Sequence, residues 1–489
     1  MKDKTISMKK ENPTIAIIGG GVAGSTTALY LGQLGVSCTL FEREKSLISG
    51  PPFCHLHAGG NLYREISDAQ CVTLLKQSID FLRYYPFIVD YRPTVIAIPT
   101  EDKGSPEALL PRLKLLVKEY EALIAKDAKN KVLGDPKEYF RLYTRADIEA
   151  LKTRKSMPHP QTFDEWMIPV AKKIDLEKVK FPLILVQEYG LNLFRLASGV
   201  SLALEKIASV ELHLETQVTD IQKNGAAWVV TYMHNGQTVQ QTFDYLVNAA
   251  GFRTGKIDDM VGVPCQSMVE FKAAYVSHWE SSCQSLWPEI IFHGERGTPR
   301  GMGQFTPYPD GYFQLHGMTK EITLYENGLV ANTPHSCQPQ LKPDFIEKIE
   351  KAWPKAEVDA RTQNAIRHLA KYIPEFSSAT VGSKPLFGAQ QIPGTDPNLR
   401  VAEVSFPAER YARCEIVKVS SVTDMVDAIA KTLIQLGWLD ASAHHVRDHH
   451  IIETLDEAAI ASRAEEIALQ RAYPASMADR NVPEAPQSL

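Results

Sequence analysis

Thr14-Ile15-Ala16-Ile17-Ile18-Gly19-Gly20-Gly21-Val22-Ala23-Gly24 decides the fold. Thr14 to Ile18 is a short β-branched run, the composition of a buried parallel strand. Gly19-x-Gly21-x-x-Gly24 follows, and Ser25 to Gly35 reads as a helix closed by its last glycine. Ser37 to Phe41 is the next strand, with Glu42 at its end. Strand, glycine turn, helix, strand and acid thus fall within one βαβ length. The first glycine makes the tight turn. The second lets backbone approach a pyrophosphate, and the third lets helix pack close on strand. The helix N-terminus then offers free N–H groups and the positive end of its dipole to the phosphates. Glu42 is placed to accept ribose hydroxyls, and its charge disfavours a 2′-phosphate, so NADP is not expected.

At 489 residues the chain exceeds one simple core, and two domains with a further lobe are expected. A net charge of -5 gives no global reason to expect nucleic acid as a partner. The seven cysteines (Cys38, Cys54, Cys71, Cys265, Cys283, Cys337 and Cys414) are scattered and form no CxxC pair. That argues against a disulfide framework or zinc site and for a reducing cytoplasm. Met1 to Asn12 is polar and lysine-rich, with no signal-peptide pattern. No run approaches the roughly 18 apolar residues of a membrane span. The expected protein is cytoplasmic, with peripheral contact at the inner face of a membrane left open.

Further along, Pro106 to Leu151 is helical and highly charged, the pattern of an inserted excursion. Strands are expected at Phe181–Val186, Glu211–Thr216, Trp228–Tyr232, Tyr245–Asn248 and Leu399–Val404. Helices are expected at Leu191–Ile207, over Lys342–Tyr372 and at Val422–Leu436. Cys265 to His316 has strand and turn signals with many aromatics, read as an antiparallel sheet and substrate lobe. The tail from about Asp440 is charged and partly helical, with Pro483 to Leu489 disordered by composition.

Val247-Asn248-Ala249-Ala250-Gly251 resembles the second flavin motif of the D-amino-acid-oxidase-like superfamily, and Gln217-Val218-Thr219 its segment beside the adenine. Pro385 to Leu433 resembles its closing strand and helix, which point at the flavin pyrimidine, with Ser420 and Ser421 suited to cap that helix. The resemblance covers roughly Pro13 to Trp438. It implies an α/β, glutathione-reductase-type FAD-binding Rossmann-like domain, an antiparallel β-sheet substrate domain and a helical insertion. The expected boundaries are 13–98, 185–262 and 375–438 for the FAD domain, 99–184 for the insertion, 263–374 for the substrate domain and 439–489 for the tail. Implied cofactor contacts are Gly19, Gly21, Val22, Ala23, Gly24, Glu42, Arg43, His57, Ala58, Gly59, Val218, Ala250, Gly251, Ser421 and Val422.

His55-Leu56-His57-Ala58-Gly59-Gly60-Asn61-Leu62-Tyr63-Arg64 resembles the loop over the isoalloxazine in L-2-hydroxyglutarate dehydrogenase and malate:quinone oxidoreductase. Glycine-flanked small residues let backbone press against a flat ring. A histidine there offers a proton or hydrogen bond near flavin N5, or a point of covalent attachment as in dimethylglycine dehydrogenase relatives. His55 and His57 acting as plain packing residues is the alternative.

Oxidising an alcohol or amine requires the Cα–H aimed at N5, a cation for any carboxylate and an acceptor for the departing proton. Arg64, Arg410 and Arg413 are the candidate carboxylate forks. Gln304, Thr306 and Tyr308 share one strand face by period 2, and Gln314 and His316 share another, with His316 the candidate base. Lys272 is an alternative beneath the ring. The catalytic set is therefore His57, Arg64, His316, Tyr308 and Arg410. His444, His445, His449 and His450 read as a solvated helix rather than a metal site, and Ile451 to Arg471 as an exposed helix. The expected function is FAD-dependent dehydrogenation of a small carboxylate-bearing 2-hydroxy acid or amine, with quinone, another carrier or oxygen as acceptor. The alternatives are a tailoring oxidase or monooxygenase on a larger substrate, and a flavin-binding scaffold without turnover.

Overall fold

The computed structural model describes residues 12–53, 55–56, 66–283, 285–399, 401–447 and 449–482. The opening strand Thr14–Ile18 lies centrally in a sheet of six, between Tyr245–Asn248 and Ser37–Phe41. Val210–His213 extends one side and the hairpin Val404–Ala408/Tyr411–Cys414 the other. All pairs but that hairpin are parallel. Ile15, Ile17 and Leu40 enter the main core, while Ala16, Ile18 and Leu246 face a three-stranded antiparallel sheet (Gln217–Asn224, Ala227–His234, Gln237–Phe243). Strands buried on both faces read as continuous apolar runs, as these do. Helix Val22–Gln33 is buried over almost its whole length.

A second, larger sheet runs Leu329–Ala331, Ser267–His278, Tyr312–Gly317, Gly303–Pro307, Glu289–Phe292, Thr94–Pro99, Val179–Val186, Phe140–Tyr143, with Thr380–Pro393 also paired to Ser267–His278. Its pairs are antiparallel except Glu289–Phe292 with Thr94–Pro99. Helix Lys355–Ala370 packs on it through Ala365, Ile366 and Leu369.

Several expectations are corrected. The charged excursion holds helices Leu110–Lys126 and Arg145–Leu151, but also strand Phe140–Tyr143, which edges the large sheet. Leu399 and residues 401–403 are not in a strand. The strands are Val404–Ala408 and Tyr411–Cys414, and it is Tyr411–Cys414, ten to twelve residues later, that lies against Tyr245–Asn248. The Lys342–Tyr372 helix is two, Pro343–Glu350 and Lys355–Ala370, separated by Pro354. The histidine-rich stretch is not a solvated helix. His449 is buried edge-on to Tyr84, and Arg447 bridges Asp427 and Asp80. Helix Glu457–Gln470 is not fully exposed either; Ile460, Ala464, Ile467 and Ala468 dock on helix Leu193–Leu204. Its glutamates occupy the outer face only. Residues 483–489 lie outside the described ones.

Candidate active site

The glycine turn opens a cavity of about 1000 Å³ between the two sheets. At Gly19, with φ of +102°, a β-carbon would meet Ala249 O at 2.5 Å; at Gly24 it would meet Gly19 O at 1.8 Å. Those glycines are required for chain-on-chain approach. Gly21 differs: a β-carbon there would meet no protein atom within 4 Å, and its backbone lines the cavity with Val22 and Ala23. No side chain caps the helix that begins at Val22, so its first-turn N–H groups are left to a ligand. Glu42 lies behind Gly20 and does not line the cavity. Its carboxylate accepts from Gly20 N at 2.6 Å and Glu44 N at 2.8 Å. Burial raises its pKa, and those two backbone N–H groups oppose the rise. A cradle of open glycine, bare helix start and acid at the second strand's end fits an FAD adenosine and pyrophosphate.

The far end is a buried polar cluster. Glu289, wholly buried, lies 2.6 Å from His55 Nδ1, and its other oxygen accepts from Arg92 Nη1 at 2.6 Å. Gln304 Nε2 donates to Glu289 Oε1 at 2.8 Å. Burial penalises the Glu289 charge, but His55 and Arg92 outweigh it and hold the carboxyl below its usual range. His55, Gln304 and His316 line the cavity. Burial, then the Lys272 charge, pushes the His316 pKa down to about 3, so its imidazole is neutral. Beside it Glu270 takes Lys272 Nζ and Arg296 Nη2, each at 2.5 Å. These two cations overcome its burial and keep Glu270 ionised.

Of the expected cofactor residues, Gly21, Val22, Ala23 and Gly251 line the cavity. Gly19, Gly24 and Ala250 shape it from behind. Arg43 turns to Glu350 Oε1 (3.3 Å), which also takes Arg253; Arg43, Glu350 and Gln217 border a smaller cavity of about 400 Å³. Val218 belongs to the three-stranded sheet and is buried in the core between it and the six-stranded sheet. Ser421 does not cap its helix; its hydroxyl donates to Gln77 Oε1 at 3.0 Å, and Val422 is buried core. Ile416 to Val419, just before, line the cavity instead.

Among catalytic candidates, Gln304 pairs with His316 and Thr306 with Gln314, so all four share one face, not two. Tyr308 is not a lining residue; its hydroxyl donates to Gln314 Oε1 at 3.1 Å. Arg410 sits in a hairpin turn over the Trp438 ring and donates to Ala226 O, away from the cavity. Arg413 is consumed by a buried pair with Asp258 at 2.9 Å. His57, Ala58, Gly59 and Arg64 lie outside the described residues. Sequence reading missed Glu289, Arg92, Glu270 and Arg296. The signal for Glu289 was an acid heading an apolar run, Glu289-Ile290-Ile291-Phe292.

A family model described as FAD dependent oxidoreductase (DAO) matches residues 14–393. The chain belongs to the DAO family of FAD-dependent oxidoreductases. No curated protein sequence matches it. Its fold is similar to L-proline dehydrogenase from P. horikoshii, with a TM-score of 0.53, 14% identity, and 88% of this chain and 95% of that one covered. It is similar also to glycerol-3-phosphate dehydrogenase from Bacillus halodurans complexed with FAD (0.53, 12%, 96% and 74%). L-alpha-glycerophosphate oxidase from Mycoplasma pneumoniae with FAD bound is another (0.53, 15%, 87% and 95%). The DAO-family chain is thus an FAD enzyme of the expected fold class. No helix among the described residues is long and apolar enough to cross a membrane.

Proposed function

We propose that this flavoenzyme dehydrogenates a small carboxylate-bearing 2-hydroxy acid or amine, with His55 as proton acceptor. The observation that carries the reading is the Arg92–Glu289–His55 relay at the cavity wall. With Nδ1–H held by an ionised, buried carboxylate, the His55 lone pair is on Nε2 and the imidazolium that forms is stabilised. Among the described residues Lys272 and Arg296 pair with one carboxylate, Glu270, and this trio carries a net positive charge toward a substrate carboxylate. Neutral His316 and Gln304 hydrogen-bond the reacting oxygen or nitrogen without adding charge. Bound FAD supplies the two-electron hydride acceptor. The substrate O–H or N–H proton passes to His55 as its Cα–H leaves with the electron pair, and a C=O or C=N bond forms.

Solved relatives are named for proline and for glycerol-3-phosphate, both small and polar, which accords with the proposal. The free, partly buried cysteines accord with a cytoplasmic setting. Quinone or oxygen is the proposed final acceptor.

The test is anaerobic bleaching of the flavin band by a panel of 2-hydroxy acids, amino acids and N-methyl amines. At least one class is expected to bleach it. Glu289→Gln should slow that reduction about 100-fold, as loss of an oriented base does, with substrate affinity little changed. Bleaching by none of the panel, or an unaltered rate in Glu289→Gln, would overturn the reading.

A further inference from the structure

The family match ends at residue 393, yet the glycine turn is held from far beyond it. The link runs through Ser46–Ile48. Ile48 N donates to Gly20 O at 3.0 Å, and the Leu47 side chain fills the space over Gly20, where a β-carbon would lie 2.5 Å from Leu47 Cδ2. Ile48 has φ of +57°, a left-handed conformation that a β-branched residue resists. Such a backbone persists only where its surroundings over-determine it. Here the surroundings are the Gly20 carbonyl, the main core and the Arg471 side chain. Arg471 donates Nη1 to Ile48 O at 2.9 Å, Nη2 to Leu47 O at 2.6 Å, and Nη2 and Nε to Ser46 Oγ at 2.9 and 3.3 Å.

All those acceptors are neutral. Among the described residues no carboxylate pairs directly with Arg471; its half-buried guanidinium is held by backbone and hydroxyl oxygens, with the charges of Glu42 and Glu44 acting on it from further off. Burial pulls its pKa down to about 10, with Tyr473, Glu42 and Glu44 opposing. Its seat is rigid. Helix Glu457–Gln470 ends at Arg471, and Tyr473 OH donates to Pro385 O at 2.7 Å.

We propose that Arg471 is a positioning residue of the FAD site. The C-terminal extension holds Ser46–Ile48 against Gly20, and so sets the glycine turn that receives the pyrophosphate. It also places one positive charge beneath a turn that binds an anion.

The experiment titrates FAD back into cofactor-stripped, full-length protein, following flavin fluorescence and then release on dilution. Arg471→Ala should weaken FAD binding about tenfold or more and speed release. Arg471→Lys should recover only part, since an ammonium lacks the fork that spans three acceptors. Added ethylguanidinium should restore binding to Arg471→Ala, a rescue that a merely structural loss would not give. Arg463→Ala, on the helix that leads to Arg471, removes a surface pair with Glu205 of the neighbouring helix end and should bind as wild type. Wild-type FAD affinity in Arg471→Ala, whatever its melting temperature, would overturn the proposal. Should Arg471→Ala not fold, Ser46→Ala and Arg471→Lys take its place. Unchanged affinity in both would overturn it equally.

Discussion

At Gly21 a β-carbon has room, and at Gly24 it has none, meeting Gly19 O at 1.8 Å. The two substitutions therefore separate cofactor binding from folding. Gly21→Ala is expected to cost the cofactor-free protein less than about 1 kcal/mol, the scale of a helix-cap change, while weakening FAD binding about tenfold or more. Gly24→Ala should fail to give a cooperatively folding protein. Thermal melting without FAD and fluorescence titration with it check both; a Gly21→Ala protein that binds FAD normally would refute the assignment of the turn. This part of the site was legible because its constraints are local: three glycines and one acid within a βαβ length. The relay was not. Arg92 and Glu289 are 197 residues apart, and only the fold brings them together. Arg413 shows the converse: an arginine in a suggestive place satisfied by Asp258, a partner no spacing rule names.

Elements with a clear period were legible. Thr14–Ile18, Tyr245–Asn248 and the helix from Val422 lie where the pattern puts them. Phe140–Tyr143 was not, since as an edge strand it is half exposed and sits among charged helical sequence. Ser421 has the residue type of a cap, but packing between helices turns it elsewhere. Its hydroxyl donates to Gln77, whose amide Nε2 donates in turn to Asp424 Oδ2 at 2.8 Å and Glu403 Oε1 at 3.2 Å. Gln77 thus holds helix Asp68–Tyr84 to the start of the helix at Val422 and keeps two carboxylates apart. Gln77→Leu removes the shared donor and strands Ser421, at a cost of about 1–3 kcal/mol near neutral pH. Burial, then Asp424, already raise the Glu403 pKa. A raised folded-state pKa means the folded form takes up a proton first, so stability is gained as pH falls. The Gln77→Leu deficit should accordingly shrink on acidification. Urea melts at two pH values check this, and a pH-independent deficit would count against the shared-donor role.

Across the whole molecule, the two-sheet architecture was legible and the role of its C-terminal end was not. Composition marks a charged tail, but only packing shows that Arg195 and Arg480 share Glu457 and that Asn192 holds the backbone of Met477. Burial over so large a core also sets the response to acid. His316, His368 and His449 lie in different parts of the chain, and burial, the largest cause in each, pushes them down to about 3, 4 and 4. For a histidine with a lowered folded-state pKa, the unfolded chain binds the proton first. Its contribution is therefore complete above the usual 6.5 and is lost as pH falls from there toward about 4. His368 gives the cleanest case, since its Nε2 bonds Gly301 O at 2.9 Å, its one hydrogen bond among the described residues, and it lies on helix Lys355–Ala370 and does not line the cavity. His368→Gln keeps a donor there but cannot titrate. Between about pH 7.5 and about pH 5.5 wild type should lose about 1 kcal/mol more stability than His368→Gln, roughly the value of one pKa unit. Chemical denaturation of both proteins at the two pH values measures the difference. Parallel losses would mean that the imidazole protonates in the folded state without resistance, contrary to its burial.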